Sequence, residues 1–138
     1  MPLWAKGSIP VSDRSNKPGV RQGGYRRIAS AALAELETAL RELYGDEAPA
    51  VLVYGSYARR RANRESDIDV LLLYHKAVRP GREILRVSSI LADLNLRYQV
   101  LLSVLPASRD EYISSTGPFW DNVRREGVGL EQIGVSPR

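Results

Sequence analysis

One stretch restricts the fold of this chain more than any other: VLVYGSYARRRANRESDIDVLLL, residues 51–73. Val51, Leu52, Val53 and Tyr54 are β-branched, aliphatic or aromatic. Such a short run stopped by glycine predicts a buried strand. Gly55 allows a sharp turn and a close backbone approach. Ser56 suits a helix N-cap, which predicts a short helix over residues 57–62. A helix start offers free N–H groups and a positive dipole end, which favour phosphate. Arg59, Arg60, Arg61 and Arg64 add positive charge nearby. A second strand is predicted over residues 67–73. Side chains alternate along a strand, so Asp67 and Asp69 share a face, with Cβ atoms roughly 7 Å apart. Ile68 and Val70 then point into a core.

Each piece also has a plainer reading. A Gly-Ser pair after a strand makes a simple turn, and an arginine run makes a solvated face. Two aspartates at a strand's start protect an edge or cap a helix. Together the pieces say more. A phosphate-cradling turn and a carboxylate pair on neighbouring strands are the two halves of a metal–nucleoside triphosphate site.

Gly55-Ser56, Ala58-Arg59 and Ser66-Asp67-Ile68-Asp69 resemble the G-S-x-A-R-G…S-D-x-D pattern of the minimal nucleotidyltransferases, relatives of the DNA polymerase β palm. The resemblance covers residues 28–133. Its second part, far along the chain, is Pro118-Phe119…Asn122-Val123…Glu126-Gly127-Val128…Leu130. Arg60 departs from it, standing where the family often has glycine.

The flanks accord with a domain of this kind. Residues 1–24 are rich in Gly, Pro, Ser and charge, and are expected to form an extended or disordered arm. Residues 25–138 are expected to form the domain. Arg21, Arg26 and Arg27 sit at their junction and read as a solvated helix start. From 25 to 44 the pattern is helical, with Ile28, Ala32, Leu36, Leu40 and Leu43 on one face and Leu33 beside it. Pro80-Gly81 reads as loop, and residues 82–96 as a helix with the stripe Ile84, Val87, Ile90 or Leu91, and Leu94. A third strand is predicted over 98–105. Ser108 and Glu111 have capping-box spacing. Pro118 opens a last helix that Gly127 stops; Phe119 and Trp120 read as core anchors, with ligand stacking the alternative. Residues 128–133 are expected to form an edge strand. Strands alternating with helices predict an α/β fold (α+β in some schemes), a sandwich around a small mixed sheet.

Composition excludes other chemistries. There is no cysteine and one histidine, so neither a thiolate site nor a histidine zinc site is available. No apolar run reaches membrane-spanning length, and no hydrophobic signal segment opens the chain. A cytoplasmic protein with no membrane contact is the simplest expectation. The net charge of +4 suits an anionic substrate without requiring nucleic acid.

The resemblance implies an activity and a site. A nucleoside monophosphate, AMP from Mg-ATP, would move to a hydroxyl acceptor. Gly55, Ser56 and Arg59 would bind the triphosphate, with Ser66 placing the strand start. Asp67 and Asp69 would be catalytic and would bind Mg2+, or Mn2+ in its place. The acceptor implied is a tyrosine of a HEPN-domain toxin, with this chain as antitoxin; oligomeric state is left open. The family also carries a third acid in a Tyr-Asp-Val…Ser pattern on the third strand. Here the sequence reads Tyr98, Gln99, Val100 and Ser103. An amide is a neutral, weaker ligand and takes no proton. A second expectation follows: a catalytically weak or inactive nucleotide-binding antitoxin that acts by contact.

Overall fold

The computed structural model of the chain describes residues 20–58 and 67–133. Helix α1 spans Val20–Tyr44 and leads through a 3-10 turn, Gly45–Glu47, into strand β1, Ala50–Tyr54. A helical segment, α2, Gly55–Ala58, follows; the rest of the helix predicted over 57–62 lies outside the described residues. Strand β2 is Ile68–Tyr74 and helix α3 is Pro80–Tyr98. Strand β3, Leu102–Ser108, is followed by the short helices α4, Arg109–Ser114, and α5, Pro118–Glu126. Strand β4 is Val128–Gly129, with a last 3-10 turn at Leu130–Ile133.

The sheet order is β3-β2-β1-β4. β1 runs antiparallel to β2 and β4, and β2 runs parallel to β3. This is the small mixed sheet of the predicted α/β sandwich. One face carries Val51, Val53, Ile68, Val70, Leu72 and Leu102 beneath Leu33, Leu36 and Leu40 of α1 and Val87 and Leu94 of α3. The other face carries Leu71, Leu73 and Ala107 beneath Val123 of α5, with Tyr54, Tyr112 and Trp120 packed around them. At the far end of β2, the Tyr44 hydroxyl donates to Glu83 (2.7 Å) and lies 3.0 Å from the Tyr74 hydroxyl, tying α1 to α3.

Several boundaries differ from the sequence reading, each for a physical reason. α1 already covers residues 20–24, expected to belong to the arm; the rest of that arm, residues 1–19, lies outside the described residues. Extending an existing helix is far easier than starting one, and each glycine costs only about 1 kcal/mol. Leu43 is 39% exposed, past the end of the buried stripe. Pro80 opens α3 instead of belonging to a loop, because the first helical position needs no N–H. The third strand runs over 102–108, not 98–105. Tyr98 is the last residue of α3, and Gln99 reverses the chain in a left-handed conformation (φ 53°, ψ 48°). Asn95 then ties the helix end to the strand: its Oδ1 accepts from the Leu102 N–H at 3.0 Å. Pro106, one residue past the predicted strand end, lies within β3, since an edge strand tolerates a missing donor. The capping box forms as the spacing predicted, with Ser108 Oγ accepting from Glu111 N–H (3.1 Å) and Glu111 accepting from Ser108 N–H (3.0 Å). The final strand is two residues long, and its predicted remainder is a 3-10 turn.

Candidate active site

The end of β1 and the start of β2 meet because the two strands are antiparallel neighbours, with Tyr54 opposite Asp69. Gly55 leaves β1 with φ +74°, a left-handed conformation that a side chain disfavours. A Cβ built there would fall inside the Asp69 carboxylate, nearest to Oδ2. The glycine therefore does two things. It turns the backbone, and it leaves room for the acid to lie against the turn.

Ser56 and Tyr57 follow within α2. Ser56 is half-buried and lies inside the helical turn, which begins at Gly55; it is not the cap in front of it. Tyr57 is fully buried and fixes the turn to α1. Its hydroxyl lies 3.3 Å from Ser30 Oγ, its ring meets Tyr25 edge-on (centroids 6.4 Å apart), and the Arg26 guanidinium stacks over it at 4.7 Å. The sequence reading passed over Tyr57, the variable position in G-S-x-A. Its one signal was a large aromatic next to a turn. Arg26, read as a solvated helix start, has this ring as its partner instead.

Asp69 is half-buried in β2, whereas Asp67 is exposed just before the strand begins. The strand ladder continues to that edge, since Ile68 N–H donates to the Leu101 carbonyl at 2.8 Å. Arg59 and Ser66, with Arg60, Arg61 and Arg64, lie outside the described residues. Gln99 is exposed at the end of α3 and is not on the strand beside the acids. The β3 residue that pairs with Asp69 is Ser103, also exposed. Among the described residues, no group of three His, Cys, Asp or Glu side chains is arranged to hold a metal.

Paired residues in a sheet present their side chains to the same face. Tyr54 therefore shares a face with Asp69, and that face is the one covered by α5. Burial first, and the Asp69 charge second, push the Tyr54 hydroxyl above the ordinary phenol range. Asp69→Asn removes only the second cause. Tyr54 is expected to titrate lower in that variant, yet still above an exposed tyrosine. Alkaline absorbance difference spectra, with Tyr54→Phe as the blank, would measure it; an unmoved titration would mean the two groups are not neighbours.

Comparison with known proteins adds to this geometry. The family model described as polymerase beta nucleotidyltransferase matches residues 37–115, more than half of the chain. No curated protein matches. Among solved structures, the chain is similar to a toxin–antitoxin crystallised with AMP-PNP, at 17% identity and a TM-score of 0.50, covering 73% of this chain and 71% of that one. It is also similar to a mutant of the MntA–HpeT toxin–antitoxin, at 12% identity and a TM-score of 0.47, covering 70% of each chain. A third is a complex of a tri-AMPylated Shewanella oneidensis HEPN toxin with an MNT antitoxin, at 15% identity and a TM-score of 0.43, covering 72% of this chain and 69% of that one. No helix among the described residues is long and apolar enough to cross a membrane. With its mixed sheet, its glycine turn against an aspartate and a family match over more than half its length, the chain belongs to the polymerase β nucleotidyltransferase family.

Proposed function

We propose that this chain transfers a nucleoside monophosphate, AMP from Mg-ATP, to a hydroxyl acceptor. The contact between the Gly55 turn and the Asp69 carboxylate carries this reading. A polyphosphate held by Gly55 and Ser56 brings its α-phosphate to the acid. Asp67 and Asp69 are the catalytic pair and would hold Mg2+, or Mn2+ in its place. Their hard oxygens, completed by phosphate and water, fit such an ion. Bound there, the ion would neutralise charge developing on the phosphates. Arg59 would steady the triphosphate, and Ser66 would set the start of β2. The acceptor hydroxyl attacks the α-phosphorus in line and gives its proton to solvent; a new O–P bond forms as the bond to pyrophosphate breaks. Positioning and charge stabilisation are the protein's share.

The acceptor we favour is a tyrosine on a HEPN-domain partner, with this chain as antitoxin. The fold shared with a toxin–antitoxin crystallised with AMP-PNP supports the antitoxin part of this reading. A second reading has its own observation. Ser103, not a carboxylate, stands beside Asp69 on β3. That favours a nucleotide-binding antitoxin with weak or no transfer, acting by contact. The test uses α-labelled ATP, Mg2+ and HEPN-domain proteins encoded near this chain. Labelled product with wild type that disappears with Asp69→Asn supports the enzyme. Label appearing only with Ser103→Asp supports the lapsed enzyme, and Gln99→Asp is expected to do nothing because residue 99 is off the strand. No label with any variant would sink the transfer reading.

A further inference from the structure

We propose that Phe119 is the stacking surface for the base of the nucleotide, an inference that rests on the nucleotidyl-transfer reading above. Three rings form a row on the face that carries Asp69. Tyr54, opposite Asp69, meets Phe119 edge-on at 5.8 Å between centroids and 90° between planes. Phe119 meets Trp120 in the same way, at 5.2 Å and 84°. The two outer rings fix the plane of the middle one. Trp120 packs on the buried cluster of Leu71, Leu73, Ala107 and Val123, so it is the anchor. Phe119 is 42% exposed, so part of its ring remains open to solvent.

Its backbone is fixed as well. Phe119 lies in the first turn of α5, after Gly117 at φ +114° and Pro118 at the first helical position. The α2 turn that begins with Gly55 packs against the same helix. The open ring therefore stands beside the strand end that leads into the Gly55 turn. An acceptor must approach the α-phosphorus from the side opposite the leaving pyrophosphate, away from Gly55 and Ser56. With the polyphosphate held on that turn the acceptor lies on the far side, and the nucleoside, joined to the α-phosphorus through its own oxygen off that line, is the part free to reach the ring. One open ring is also far smaller than the area a protein partner buries. A flat, rigid, partly open aromatic suits a base, because every base has a π-face to stack.

The experiment measures binding of Mg-ATP and of Mg-tripolyphosphate, which has no base, to the full chain by calorimetry. The variants are Phe119→Leu, which keeps apolar packing against Tyr54, and Phe119→Trp, which keeps a ring. Phe119→Leu is expected to weaken Mg-ATP about tenfold and leave tripolyphosphate unchanged. Phe119→Trp is expected to hold Mg-ATP within about threefold of wild type, since stacking tolerates any aromatic face. If Phe119→Leu weakens both ligands equally, or neither, Phe119 is only a packing residue and the stacking role is overturned while the nucleotide reading stands. If wild type binds neither ligand, both fall.

Discussion

Gly55→Ala is expected to lower nucleotide transfer about a hundredfold or more while the chain still folds. Two effects combine. The left-handed backbone at φ +74° costs roughly 1–2 kcal/mol once a Cβ is present. The larger functional effect is displacement, because that Cβ occupies the place of the Asp69 carboxylate. A reacting group moved by about 1 Å can cost two orders of magnitude in rate. Transfer and Mg-ATP binding should fall together, and urea unfolding should show a loss of about 1–3 kcal/mol. In Gly55→Ala/Asp69→Ala the clashing carboxylate is gone while the strand keeps a Cβ, so the cost of Gly55→Ala, measured against Asp69→Ala alone, should shrink towards the backbone strain. A fully active Gly55→Ala would mean that the acid and the turn do not touch.

Tyr57→Ala is expected to show the largest stability loss at the site, about 3–5 kcal/mol, as for other fully buried aromatics. The ring fills the space between α2 and α1, with no exposure to solvent, and meets Tyr25, Arg26 and Ser30. Removing it leaves a cavity under the Gly55 turn. Tyr57→Phe separates the parts: it keeps the ring and loses only the hydrogen bond to Ser30, at about 0.5–1.5 kcal/mol. Denaturant unfolding gives both numbers. A Tyr57→Ala loss below about 1 kcal/mol would show that the ring does not support the turn. An activity loss in Tyr57→Ala with normal kinetics in Tyr57→Phe would show that packing, more than the hydroxyl, holds the site.

Local signals were read well where one residue's chemistry decides a backbone event. Gly55 marked the turn, Ser108 and Glu111 marked the start of α4, and Pro118 marked α5. The paired strands around the turn followed from apolar runs, and β1 and β2 lie within a residue of expectation. Pro80 shows why a proline is ambiguous in the sequence: its missing donor costs little at a helix start, and the position is known as a start only once its neighbours are placed. The Tyr98-Gln99-Val100…Ser103 pattern puts Gln99 on the expected third strand. A left-handed turn at the end of α3 moved the strand three residues on from where it was expected to end, and put Ser103 beside Asp69 instead.

By itself, the order of residues determined the parts: a strand, a glycine turn, a second strand opening with two acids, and amphipathic helices to cover them. Those follow from backbone sterics and apolar periodicity, which act over a few residues. Only the tertiary structure decided which parts touch. Antiparallel pairing put Asp69 against Gly55 and opposite Tyr54, the packing of α5 brought Phe119 beside Tyr54, and α1 supplied the pocket that holds Tyr57. Strand register and helix packing arise from contacts between residues far apart in the chain, and no local pattern encodes them.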